Sequence, residues 1–215
     1  MSAAPRPVAP DRLAEVLAEH VAAAAARHPA VLRVAVDGAP AAEARRVADA
    51  LVGPLRLRGR PVLRVGARWF LRPASVRLER GRTDPDALWD DWLDVGALRR
   101  EVLDPVGPGG GGSYLPTLWD PELDRATRAP YATAPAGAVL LLDGALLLGR
   151  GLPFDYTVHL RLSAAALARR TPPDEHWTLP AYTRYQAAVD PERAADVVVR
   201  LDDPRHPAIS VRRAR

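Results

Sequence analysis

The apolar positions of this chain first recur at helical spacing and then change to continuous runs. In "DRLAEVLAEHVAAAAARH", Leu13, Val16, Leu17 and Val21 fall on one face, which predicts a helix capped by Asp11 after Pro10. The runs "VLRVAV", "PVLRV", "AVLLLD", "YTVHLRL" and "ADVVVRL" follow, separated by helical or loop segments. Several are too continuously apolar for a strand with one wet face. The alternation predicts an α/β fold: a parallel sheet covered on both faces, with Val31–Val36 and Val139–Leu142 among its strands. "DPDALWDDWLDVGALRREVLDPV" reads as two helical pieces, with Asp86 and Asp94 as caps. The following Gly- and Pro-rich stretch, "DPVGPGGGGSYLPTLWDPELDRATRAPYATAPAG", is long and internal, which favours a functional loop.

Composition narrows the class. The 215 residues are 48% apolar, enough for one substantial core. The expected organisation is an N-terminal helix over 1–30 packed on a single domain over 31–215, with a lid near 163–182. The absence of cysteine excludes disulfides and thiolate metal sites. No apolar stretch reaches membrane-spanning length, and "VAAAAA" sits after acidic residues in a helical pattern. The expectation is therefore a cytoplasmic protein with no membrane partner. The net charge is +4 with acidic residues interspersed, so no nucleic-acid stripe stands out. The terminal "VRRAR" is a modest basic tail, read either as solvated or as a contact for an anionic surface.

Candidate chemistry gathers at strand ends, where open parallel sheets bind ligands. "VAVDGAPAAEARRVADAL" has the order strand, turn, helix of a phosphate-binding loop. A cradle beginning at Gly38 would continue Gly-x-x-x-x-Gly-Lys-Ser/Thr, yet Glu43, Ala44 and Arg45 hold the last three places. Pro40 removes one backbone donor and favours a tight helix start, which places Glu43 in the first turn. A carboxylate about 4 Å from a phosphate charge costs roughly 4 kcal/mol at an effective dielectric near 20. All 30 basic residues are arginine, so only Arg45 or Arg46 is near enough to offset it. Arg45 stands where a hydroxyl would hold magnesium.

Three other places carry candidate chemistry. After "PVLRVG" come Arg68, Trp69 and Phe70, where a nucleoside kinase needs a carboxylate to orient the acceptor hydroxyl; Trp69 reads as a stacking surface or as packing. "VLLLDG" ends in Asp143, which matches an acidic strand that positions Mg²⁺ and equally matches an ordinary Asp-Gly turn. Arg169 and Arg170 close the helix "SAAALARR", either as a phosphate clamp or as cations at a helix carboxyl end. Scattered histidines and the lack of a Gly-x-Ser-x-Gly elbow give no support for a metal site or a serine hydrolase.

The ordered segments "VAVDG", "RPVLRV", "RPASVRLERGRTDPDALWDDWLDVGALRREVLDPVGPGG", "YLPTLWD", "GAVLLLDGALLLGRGLPFD" and "ADVVVRLDDPRHP" together resemble the uridine-kinase-like proteins of actinobacteria, a divergent branch of the P-loop nucleoside kinases. The resemblance implies a P-loop NTPase fold of three layers, with a lid. It places the phosphate loop from Asp37 and Gly38 to Arg45, the acceptor-side acid at Arg68 or Trp69, the acidic strand end at Asp143, and lid arginines at Arg169 and Arg170. It also gives Tyr114, Trp119 and Asp120 as nucleoside contacts. Three readings follow: a pseudokinase that binds a nucleoside or other small molecule, an active uridine kinase that uses Mg-ATP with arginine in place of lysine, and a scaffold for another protein.

Overall fold

The apolar runs lie side by side as expected, and two further strands join them. The structure is a computed structural model that describes residues 4–28 and 30–212; of the basic tail, residues 213–215 lie outside them. The strands of the main sheet are β1 (Arg6–Pro7), β2 (Leu32–Asp37), β3 (Val62–Gly66), β4 (Val139–Gly144), β5 (Tyr156–Arg161), β6 (Val197–Arg200) and β7 (Ala208–Val211). Their spatial order is β1-β7-β6-β5-β2-β4-β3. The five strands from β6 to β3 in that order are parallel. β7 runs antiparallel to β6 and is edged by β1. This antiparallel edge is absent from the sequence expectation, since "AISV" is too short to announce itself.

Period-two alternation divides the core between the two faces. Leu32, Val34 and Val36 of β2, with Val139 and Leu141 of β4, pack beneath helices α1 (Leu13–Ala25) and α2 (Ala44–Leu57). Ala35, Leu140 and Leu142 face the opposite cluster, which holds Phe70, Leu98, Leu103 and Tyr185. That side is covered by α3 (Pro85–Asp90), α4 (Val95–Leu98), α5 (Ala164–Arg170) and α6 (Leu179–Val189). The Gly- and Pro-rich stretch forms two small hairpins, Ser113–Tyr114 with Ala132–Thr133 and Trp119–Asp120 with Arg125–Ala126.

Two of the expected caps move. Asp11 lies inside a 3-10 turn, Pro10–Arg12, and α1 begins after it with no side-chain cap. Asp84 caps α3 by accepting from Ala87 N at 2.8 Å; Asp86 stands in its first turn and pairs with Arg184. Asp94 caps α4 as expected, accepting from Ala97 N at 2.8 Å.

The buried cation of β2 has its own partner. Arg33 donates through Nε and Nη2 to Asp155 at 2.8 and 2.7 Å, and through Nη1 to the Leu103 carbonyl. Burial raises the Asp155 carboxyl, but the hydrogen bonds and charge of Arg33 outweigh it and hold the group below its ordinary 3.8. A depressed folded value stabilises the fold above the ordinary value, and that contribution is lost as pH falls through the folded one. Urea unfolding from pH 5 to pH 2.5 should therefore show a steeper loss of stability for the native chain than for Asp155→Asn. Parallel curves would remove this pair as an acid-sensitive element.

Candidate functional site

At the carboxyl edge of the sheet, β2 hands the chain to α2 through the loop at residues 38–43. A 3-10 turn over Pro40–Ala42 starts it, and Glu43 follows with φ 57° and ψ 43°. The turn is closed from within: Ala42 N donates to the Ala39 carbonyl at 2.8 Å, and Glu43 N to that of Pro40 at 2.9 Å. Gly38 donates to the Gly144 carbonyl at 2.9 Å. A Cβ on Gly38 would lie 3.0 Å from Leu160 Cβ, so a larger residue would push the loop and β5 apart by a few tenths of an ångström.

Glu43 departs from the expected first-turn position. It is the left-handed hinge immediately before α2, the place where the motif asks for its second glycine. Its carboxylate accepts from Arg46 at 3.0 Å with 60% of the side chain exposed, so it does not fold into the loop. Arg45 also turns outward, 3.8 Å from Asp49. Replacing Glu43 with glycine should raise stability by about 1 kcal/mol, because the left-handed strain disappears and the exposed ion pair contributes little. Thermal unfolding checks this; a destabilised Glu43→Gly variant would mean that the hinge is not strained.

Between this loop and the segment after α5 opens a cleft of about 710 Å³. Pro40, Ala41 and Glu43 form one wall, and Arg170, Thr171, Glu175 and Trp177 form the other, with Leu88 and Trp92 at the end. Trp92 and Trp177 stand 5.7 Å apart at 49°. Trp92 is braced by the Arg77 guanidinium, 5.2 Å from its ring centre, and its indole N–H is buried without a protein partner. Arg170 donates to the Asp202 carbonyl at 2.9 Å, and His176 bonds the Thr171 carbonyl at 3.0 Å; these contacts pin the segment over the loop.

The residues singled out from sequence scatter. Arg170 lines the cleft, and Arg169 beside it is exposed. Asp143 is buried at the end of β4 and accepts from Arg64 of β3 at 2.7 Å, so a strand cation already neutralises it. Arg64 also bonds the Leu141 carbonyl and reaches Asp49. Trp69 is half-buried with the Arg68 guanidinium 4.6 Å over its ring, and Arg68 pairs with Glu122. Tyr114 is buried in the core, and burial raises its phenol. Trp119 donates to Asp124, and Asp120 caps its hairpin turn by accepting from Glu122 N and Leu123 N. Trp69, Tyr114, Trp119, Asp120 and Asp143 are not among the residues lining the cleft.

Asp37 does not face the loop. Its side chain is fully buried, with Oδ1 accepting from Leu147 N at 2.9 Å. Oδ2 meets His159 Nδ1 at 2.7 Å and the Tyr185 hydroxyl at 2.9 Å. Parallel register makes Asp37 and His159 partners across β2 and β5. Burial, and then the neighbouring Asp37 charge, push the Tyr185 phenol far above its ordinary value. Sequence reading missed His159 and Tyr185. The available signal was a histidine inside the otherwise apolar "YTVHL", at the same height as the aspartate ending "VAVD".

The fold is α/β, a mostly parallel sheet flanked by helices, with a strand–loop–helix turn under a helical segment. Three solved structures are similar to it. "A Possible Uridine Kinase" from Bacillus stearothermophilus shares 18% identity at a TM-score of 0.71, over 87% of this chain and 97% of that one. A "putative fructose transport system kinase" from Silicibacter sp. TM1040 shares 22% at 0.59, over 85% and 89%. The YGR205w protein shares 10% at 0.57, over 95% and 99%. No protein-family model and no curated protein matches the chain.

Proposed function

We propose that this chain is a uridine-kinase-like protein that holds a nucleoside or similar small molecule in the cleft and does not transfer phosphate from ATP. The observation that carries the reading is the state of the loop. Its N–H groups at Ala42 and Glu43 are spent on loop carbonyls, Arg45 and Arg46 face surface carboxylates, and the chain has no lysine. A triphosphate needs converging donors and a cation, so these residues do not fit Mg-ATP. Asp143 is likewise engaged by Arg64. The cleft, by contrast, offers the rings of Trp92 and Trp177 and the side chain of Arg170, groups that suit a flat polar ring.

A second reading, an active nucleoside kinase with arginine in place of lysine, draws on the left-handed Glu43 hinge, which keeps the backbone course of a phosphate loop. Calorimetry with Mg-ATP and a coupled assay with uridine separate the two. The expected results are no micromolar ATP binding and no uridine-dependent turnover; finding both would replace the first reading with the second. Tryptophan fluorescence tests the cleft. Uridine should quench it saturably, and Trp177→Ala should weaken binding about fivefold or more, since one stacking face contributes roughly 1–3 kcal/mol. An unchanged affinity in that variant would remove the cleft as the binding place.

A further inference from the structure

A groove of about 1430 Å³ lies at the amino edge of the sheet, opposite the loop and the cleft. It wraps around that edge. Ala24, Leu32 and Val211 belong to the packing beneath α1, whereas Ala195 and Val198 belong to the packing of the other face. The end of α1, the start of β5 and the short helix Pro191–Ala194 complete its walls.

The carboxylates of this groove are already engaged. Asp155 is held by Arg33 at 2.7 Å and approached by His28 at 3.4 Å. Glu192 pairs with Arg161 at 3.1 Å and with Arg200 at 2.8 Å, and Asp196 pairs with Arg212 at 2.6 Å. Asp190 caps the short helix by accepting from Arg193 N at 3.3 Å. Two cations of the lining have no such partner: the side chains of Arg27 and Arg193 are exposed and make no ion pair among the described residues. Burial, and then the Arg6 charge, lower His20 from its ordinary 6.5, so at pH 7 it enters as a neutral ring.

The other unspent polar group is a phenol. The Tyr156 hydroxyl bonds no described residue and is not among the sealed polar atoms of the core. Burial, and then the Asp196 charge, push it up to about 12 against the opposing charge of Arg27, so it keeps its proton near neutral pH. Bare carbonyls at the end of α1 would repel an anion, but those of Ala22, Ala24 and Ala25 accept from the backbones of Ala26, Arg27 and His28.

We infer that this groove binds an organic anion, its acid group at Arg27 and the Tyr156 hydroxyl and its apolar body against Ala23, Val211 and the Tyr156 ring. The unspent groups are donors, and a carboxylate, sulfonate or phosphate group accepts from all of them. An organic cation would face Arg27 and Arg193, while the carboxylates that could attract it already have partners. The groove exceeds the roughly 300–1,000 Å³ of a drug-sized pocket, so an occupant of two or three rings enters without rearrangement. The site is separate from the nucleoside cleft, and its test does not depend on what the cleft binds.

The experiment uses the full chain with two fluorescent probes of one ring system, 8-anilinonaphthalene-1-sulfonate and the uncharged N-phenyl-1-naphthylamine. The expected result is saturable binding of one sulfonate probe per chain, about tenfold or more tighter than the uncharged probe. Arg27→Glu should weaken the sulfonate about tenfold or more and leave the uncharged probe within about twofold. Tyr156→Phe, which removes only the hydroxyl, should weaken the sulfonate about threefold or more. Arg125→Glu makes the same charge change at an exposed arginine outside the groove and should alter neither probe. Absence of saturable binding, equal affinity for the two probes, or an unchanged sulfonate affinity in Arg27→Glu or Tyr156→Phe would each overturn the assignment. So would an equal loss in Arg125→Glu, or displacement of the sulfonate by uridine.

Discussion

Asp37→Ala is expected to cost about 3–5 kcal/mol of stability, the largest loss of any single polar substitution on the sheet's carboxyl edge. The carboxylate lies at 0% exposure and receives three donors from three different elements: the backbone of Leu147, the ring of His159 and the hydroxyl of Tyr185. Removing it strands all three in a space that water does not reach, and each stranded donor costs its own desolvation. Asp37→Asn should recover little, because its amide nitrogen would present a donor to donors. Tyr185→Phe should cost less, about 1–2 kcal/mol, since it deletes one donor and leaves Leu148 N without its acceptor at 3.1 Å. Urea unfolding at pH 7 measures the series. A loss below about 1 kcal/mol for Asp37→Ala would mean that the cluster is not a structural centre.

The second large effect concerns the loop. Glu43→Gly with Ala44→Lys and Arg45→Thr should tighten Mg-ATP at least tenfold relative to the native chain. Glycine relieves the left-handed hinge and removes a carboxylate, lysine supplies the missing cation, and threonine supplies a hydroxyl for magnesium. Uridine turnover should remain absent, because the resemblance puts the acceptor-side acid at Arg68 or Trp69, neither a carboxylate, and Arg68 is paired with Glu122. Calorimetry and a coupled assay read the two effects separately. No gain in affinity would show that the loop backbone, closed by its own Ala42 and Glu43 bonds, excludes phosphate whatever its side chains. Turnover in the variant would show that the missing acid is dispensable.

The sheet was legible because its information is local. Continuous apolar runs such as "VLRVAV" and "AVLLLD" have one stable solution, burial on both faces, and helical spacing between them leaves parallel pairing as the consistent arrangement. The strand–turn–helix order from β2 to α2 was legible for the same reason. Arg33 and Arg64, charges inside predicted strands, hinted at partners without naming them.

What only the tertiary structure decided is where the polar groups at strand ends point. Glu43 reads in sequence as a first-turn carboxylate filling a cradle; packing of Gly38 against Leu160 and closure of the Pro40 turn make it a left-handed hinge with its charge in solvent. Asp143 reads as a free acid, and strand order sets it beside Arg64. Asp37 reads as part of the loop, while register places it against His159, and α6, far along the chain, brings Tyr185. A strand's apolar period fixes which residues are buried, because burial depends on each residue's own side chain. Which buried polar atom meets which depends on strand order and register, and those are settled only when distant segments pack together.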